Sequence, residues 1–168
     1  MAINVGIVGL GFMGKCHFDT LSAMRGVKVS AICDVDPKKR SGDWSAIAGN
    51  IDTGEQAKSA DYTAYEDFDE LLANDKIDTI DITLPTYLHA DHAIRALKAG
   101  KNVICEKPLA RTSVEAKKIV TAAKKSSGRL FVAQCIRYWP AYAKAAEIIR
   151  KKKYGRVLTA CFRRFSPT

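Results

Sequence analysis

INVGIVGLGFMG, residues 3–14, joins two kinds of sequence within one short span. Residues 3–8 are an apolar, β-branched run of strand length. Gly9, Gly11 and Gly14 follow in the spacing G-x-G-x-x-G, with Phe12 and Met13 inside it. From residue 14 to about residue 25 the chain reads as helix, with Cys16, Leu21 and Met24 among its buried candidates. In a strand–turn–helix unit of this kind the first glycine permits a tight turn. The second lets backbone approach a ligand, and the third lets helix and sheet pack closely. The N–H groups at the helix start lack intrahelical acceptors, and the helix dipole favours negative charge there.

Asp34 stands 20 residues after Gly14, at the end of a second strand over 27–35. An acid at that place can accept hydrogen bonds from both hydroxyls of an adenosine ribose, which turns the loop into a dinucleotide signature. A carboxylate there also repels a 2′-phosphate, so NAD is favoured over NADP. Lys38, Lys39 and Arg40 follow closely and could reach such a phosphate, so NADP stays open. They are read as a solvated first turn after Asp36-Pro37, an N-cap residue with proline behind it.

The rest of the chain keeps the same alternation. Residues 50–60 read as loop, 62–65 as a short strand, and 67–74 as a short helix. A strand over 77–84 stops at Pro85; a helix over 87–99 ends at Gly100, where a left-handed cap belongs. Residues 102–105 are strand, and Thr112 with Glu115 forms a capping box for a helix ending near Gly128. Strand 129–135, helix 140–153 and a strand-like run over 155–165 complete the chain. Strands separated by helices imply parallel βαβ units, hence an α/β, doubly wound parallel sheet of order 3-2-1-4-5-6. The last run breaks the alternation. Residues 1–153 are therefore expected to be a dinucleotide-binding domain, and 154–168 the first strand of a truncated second domain.

Composition narrows the class. With 168 residues, 47% apolar and 27% charged, the chain resembles neither a disordered, collagenous nor coiled-coil protein. No stretch approaches the length of a membrane span. Five cysteines without a C-x-x-C pair suit reduced thiols, and a cytoplasmic location is expected. The net charge of +9 invites anionic partners, yet no helix-turn-helix, zinc-finger or RNP-like pattern accompanies it. Lys117, Lys118, Lys124 and Lys125 read instead as a solvated helix face, and neither nucleic acid nor membrane is expected as a partner.

Glu106-Lys107-Pro108 directly follows the fifth strand. In an open α/β sheet ligands lie beyond the carboxyl ends of strands, so Lys107 is placed to face the cofactor crevice. An ammonium there can hydrogen-bond a hydroxyl or stabilise a developing alkoxide. A surface lysine in a turn is the competing reading.

GLGFMG, Asp34, LPTYLHADHAIRALKAGKNVICEKPLA and RYWPAY, in that order, resemble the Gfo/Idh/MocA family of NAD(P)-dependent oxidoreductases. The similarity covers nearly the whole chain but only the N-terminal half of a typical member. It implies that Gly9, Gly11, Phe12, Met13 and Gly14 form the pyrophosphate loop and Asp34 the adenosine-ribose acid. Leu84, Pro85 and His89 would line the cofactor's middle, and Glu106 the nicotinamide-side ribose. Lys107 would assist proton transfer beside the reacting carbon, preceding a cis proline, and Arg137 would lie near the nicotinamide end. No metal is implied. The resemblance further implies hydride transfer with a sugar, inositol or similar secondary alcohol, and a homo-oligomer in the full-length form. It places the general base in a second domain, so these residues alone are expected to bind cofactor without turnover. His17 is expected beside the glycine loop and His92 on an exposed helix face. A non-catalytic NAD(P)-binding sensor is the alternative.

Overall fold

The computed structural model describes residues 2–49, 61–163 and 165. The expected loop over 50–60 lies outside them. Six strands, β1 (Ile3–Val8), β2 (Val27–Cys33), β3 (Thr63–Tyr65), β4 (Thr79–Ile82), β5 (Asn102–Glu106) and β6 (Leu130–Ala133), form one sheet. Its order is β3-β2-β1-β4-β5-β6, with every neighbouring pair parallel. That is the doubly wound order expected, and it puts the switch point between β1 and β4.

The crossover helices are α1 (Phe12–Ala23), α2 (Pro37–Arg40), α3 (Phe68–Leu72), α4 (Thr86–Lys98) and α5 (Ser113–Lys125). Their ends follow local chemistry. Asp36 caps α2 by accepting from the Lys38 amide, and Asp67 caps α3 through the Asp69 amide. Thr112 caps α5 through the Glu115 amide while Glu115 reaches back to the Arg111 amide. Gly100, at φ +75°, ends the segment after α4.

Side-chain alternation sorts the central strands between two cores. Val8 of β1, Ile80 and Ile82 of β4, and Val103 and Cys105 of β5 join Ala93, Leu97 and Ile119 of α4 and α5. Val5, Ile7 and Val29 join Phe18 of α1 on the other face. Ile32 reaches that same face only three residues after Val29, because the β1–β2 register slips past Ser30. A strand with one unpaired extra residue resets its facing in this way.

The α1 face has an irregular cover. α2 is a single turn, and the space beyond it is filled by Trp44 from the following loop. Trp44 is buried, its ring edge-on to Phe18 at 4.6 Å, and its indole N–H donates to the Lys39 carbonyl. Tyr62 meets Phe18 edge-on from the other side at 5.8 Å. Two buried aromatic rings and the half-buried Tyr62 replace the apolar stripe of a longer helix.

The chain divides after Ala133 into two compact units. The second holds a 3₁₀ helix (Cys135–Tyr138) and α6 (Pro140–Arg150), whose Glu147 pairs with Lys144 and Lys151. The domain boundary expected after residue 153 thus falls inside this unit, and residues 156–163 carry no strand. An extended run becomes a strand only when a neighbour completes its ladder, and none does so here among the described residues. No described helix is long and apolar enough to cross a membrane.

Candidate dinucleotide site

The glycine loop sits at the carboxyl end of β1, and each glycine there has a distinct geometric reason. Gly9 adopts φ +90°, and a Cβ on it would meet Leu84 Cδ2 at 2.8 Å. Gly14 is closed on all sides: a Cβ there would lie 2.2 Å from the Gly9 carbonyl oxygen. Gly11 is the opposite: beyond its chain neighbours, no atom of the described residues lies within 4 Å of such a Cβ. Thr83 holds the loop from β4, its Oγ1 donating to the Gly9 carbonyl at 2.6 Å. Among the described residues no side chain caps α1, and its intrahelical ladder begins with the Lys15 amide donating to Gly11. A cleared approach over Gly11 in front of uncapped helix amides fits a pyrophosphate.

Asp34 is buried at the end of β2 and held from two sides. Its Oδ2 accepts from the Leu10 amide at 2.6 Å, and Oδ1 from the Asp36 amide at 2.9 Å. A carboxylate offers about four acceptor positions, so two remain for ribose hydroxyls. Lys39 Nζ lies 3.7 Å from Oδ2. Arg40 departs from the solvated turn expected of it. Its guanidinium donates to the Asp34 and Val35 carbonyls and pairs with Glu66 at 2.8 Å, so it braces the backbone.

Leu84, exposed Pro85 and buried His89 form the turn leading into α4. The two His89 ring nitrogens sit 2.8 Å from the Leu84 carbonyl oxygen and 2.9 Å from that of Pro108. His89 therefore ties the β4 turn to the β5 turn. The Lys107–Pro108 peptide is cis. Lys107 is exposed, and among the described residues no hydrogen bond or ion pair engages its Nζ.

Glu106 is buried, one oxygen accepting from the Lys107 amide at 2.8 Å and the other facing His17 Nε2 at 3.3 Å. On its other side the His17 ring meets Asp81 Oδ2 through Nδ1 at 2.8 Å. Burial alone would lower the imidazole, but hydrogen bonds to Asp81 and Glu106 outweigh it and push His17 up to about 10. Burial alone would raise the Glu106 carboxyl; hydrogen bonds from His17 and the Lys107 amide overcome this and hold it below the usual glutamate range.

Sequence reasoning brought Gly9, Gly11, Gly14, Asp34, Leu84, Glu106 and Lys107 to the carboxyl end of the sheet, where the structure places them. Phe12 and Met13 form the first turn of α1. Arg137 belongs to the 3₁₀ helix of the second unit and is exposed. Thr83, Asp81 and the bridging position of His17 were missed. His92 is not exposed: burial lowers its pKa, and its ring packs against Phe68 at 4.6 Å. Among the described residues no group of three or more His, Cys, Asp or Glu could hold a metal ion.

Sheet order, loop and terminal acid together define a dinucleotide-binding Rossmann domain. Residues 3–134 match the family model of the Gfo/Idh/MocA oxidoreductases, described as an NAD-binding Rossmann fold. The chain belongs to that family through its NAD-binding domain. It is 30% identical over 160 residues to inositol 2-dehydrogenase of Salmonella typhimurium (strain LT2), covering 94% of this chain and 44% of that protein. It is 35% identical over 158 residues to levoglucosan dehydrogenase of Pseudarthrobacter phenanthrenivorans, covering 94% of this chain and 39% of the relative. The chain thus spans less than half the length of these curated relatives. Among solved structures, levoglucosan dehydrogenase in complex with NADH and levoglucosan superposes with a TM-score of 0.79 at 31% identity. That match covers 94% of this chain and 41% of the other. Scyllo-inositol dehydrogenase from Lactobacillus casei shares the fold, with a TM-score of 0.77 at 23% identity over 92% of this chain and 43% of that one.

Proposed function

We propose that this chain is the cofactor-binding half of an NAD-dependent dehydrogenase acting on a secondary alcohol of a sugar, inositol or similar polyol. NAD, when bound, supplies the hydride acceptor at its nicotinamide. Gly9, Gly11 and Gly14, with the Phe12 and Met13 amides, hold the pyrophosphate. Asp34 takes the adenosine ribose, while Leu84, Pro85 and His89 form the wall beneath the cofactor's middle. Glu106 belongs to the nicotinamide end. Lys107 is the catalytic residue of this half: its ammonium hydrogen-bonds the substrate hydroxyl and stabilises the alkoxide that develops as the proton leaves.

The observation that carries this reading is the contrast at the β5 turn. Glu106, His89 and the Pro108 carbonyl are all engaged, while Lys107 is exposed and, among the described residues, nothing hydrogen-bonds its Nζ. The named activities of the relatives supply the substrate class. Residues 154–168 begin a second domain in this reading, and the complementary base lies outside these 168 residues. The chain alone binds NAD without turnover.

Titration of NADH and NADPH against the chain, followed by nicotinamide fluorescence, tests the binding claim, and binding of neither defeats it. In a protein of the relatives' full length, Lys107→Ala should lower NAD-dependent oxidation of inositol or levoglucosan about 10²–10⁴-fold, the range of a lost acid–base group. Cofactor binding with no polyol turnover in that full-length protein would favour a sensor instead.

A further inference from the structure

Alternation along the central strands turns two acids toward α1. On β4, Ile80 and Ile82 enter the α4–α5 core, so Asp81 between them faces the other way. On β5, Val103 and Cys105 enter that same core, so Glu106 faces the α1 side with Asp81. His17, on α1 one turn past Gly14, projects between the two carboxylates. A carboxylate ion only accepts, so contacts at both Nδ1 and Nε2 are satisfied together by a ring that carries both protons.

Core packing does not call for this arrangement. A buried ion pair is often no more stabilising than apolar residues of similar volume, and the strand neighbours of Asp81, Ile80 and Ile82, are apolar. Asp81 is fully buried and, among the described residues, its Oδ1 has no hydrogen-bond partner, so the carboxylate leans on His17 through Oδ2. What the bridge reaches, beyond the core, is the β5 corner. Glu106 takes the His17 ring on Oε1 and the Lys107 amide on Oε2, which makes a continuous chain from β4 through α1 to the backbone of Lys107. His89 grips the other side of the same corner at Pro108.

We propose that His17 is a positioning residue: by bridging Asp81 and Glu106 it fixes the Glu106 carboxylate on the Lys107 amide and so sets the corner from which Lys107 works. This rests on the reading of Glu106 and Lys107 as the nicotinamide end of the site. Because α1 also carries the pyrophosphate loop, the bridge couples the two ends of the dinucleotide site through one side chain. Besides Asp81 and Glu106, the ionisable neighbours of the bridge are the Cys105 thiol on β5 and the Lys107 ammonium on the corner.

The test uses the whole 168-residue chain and its His17→Gln variant, since glutamine offers one donor nitrogen and an acceptor oxygen where the imidazolium ring offers two donor nitrogens on opposite sides. Amide exchange read residue by residue should be about tenfold faster at Lys107, with the strand amides of Ile80 and Ile104 unmoved. Acceleration everywhere, or nowhere, overturns the proposal. NADH affinity should fall about tenfold while ADP, which lacks the nicotinamide half, keeps its affinity within twofold. An equal loss for both ligands overturns it as well. If the parent chain binds neither ligand, the proposed function fails, and the exchange measurement still decides the role of His17. Should His17→Gln not fold, Glu106→Gln probes the link from the other end. Ring-nitrogen NMR should then show the His17 titration midpoint more than one pH unit below that of the parent chain, and an unmoved midpoint overturns the bridge.

Discussion

The carbonyl oxygen of Gly9 lies 2.2 Å from where a Cβ on Gly14 would stand, so these residues touch backbone to backbone across the turn. Neither is free to move, because Gly9 is also held by Thr83 and lies against Leu84. Gly14→Ala should therefore destabilise the chain by about 1–3 kcal/mol, the usual effect of forcing atoms into a closed space. Gly11→Ala meets, beyond its chain neighbours, no atom of the described residues within 4 Å and should leave the denaturant midpoint nearly unchanged. Both should lose NADH affinity at least tenfold. Equal destabilisation by the two substitutions would contradict the assignment of Gly11 to the ligand.

Asp34 serves the fold and the cofactor with different lone pairs. Asp34→Ala removes the acceptor of the Leu10 and Asp36 amides and should cost about 1–3 kcal/mol, as buried donors left unpaired do. Lys39 remains nearby to meet a 2′-phosphate. NADH affinity should consequently fall more than NADPH affinity in a fluorescence titration; an equal fall for both would remove Asp34 from the ribose.

The bridge at His17 gives stability a dependence on pH. Its imidazole, ordinarily near 6.5, is pushed up to about 10 by the paired carboxylates. The folded chain thus holds that proton more tightly than the unfolded chain. Its stabilisation is complete below about 6.5 and is lost as pH climbs through about 10. Glu106 acts in the other sense: held below its ordinary 4.5, it stabilises above that value and ceases to do so as pH falls through its folded value. Urea midpoints should decline between pH 6.5 and 10 by the equivalent of about 2 kcal/mol, the order of a charged hydrogen bond. His17→Gln should flatten that decline, and an unchanged slope in the variant would refute it.

Thiol reactivity should separate the cysteines by environment. Burial, with the charge of Asp34 nearby, pushes Cys33 up to about 12, and burial with the charge of Asp81 does the same to Cys105. Cys135 and Cys161 are exposed. Iodoacetamide at pH 8 followed by peptide mass spectrometry should mark Cys135 and Cys161 within minutes. Cys33 and Cys105 should be marked only after denaturation, and early labelling of either would contradict their burial.

Legibility in the sequence followed the range of the physics. β1, the glycine turn and α1 are contiguous, and Asp34 needs only the length of one βα unit to be found; local patterning therefore located them. Asp81 was hidden because it sits inside a short apolar run, where its facing depends on which neighbours enter the core. Its partner His17 is 64 residues away and Glu106 lies 89 from His17, so no local pattern joins the three. The signal available was an acid in the centre of a buried strand, a group that demands a partner. Trp44 was equally obscure, since a ring arriving from a loop leaves no helical period. Residues 156–163 combine β propensity with no paired neighbour among the described residues.

The chain contains two tryptophans, and the division after Ala133 gives one to each unit. Trp44 is buried against Phe18 on the helix that begins at the glycine loop, whereas Trp139 stands at the start of α6. The protein is consequently self-labelled. Emission from Trp44 carries the state of the nucleotide-binding unit and emission from Trp139 that of the second unit. Replacing either ring by phenylalanine leaves a single-colour reporter with which melting of the two parts can be timed separately.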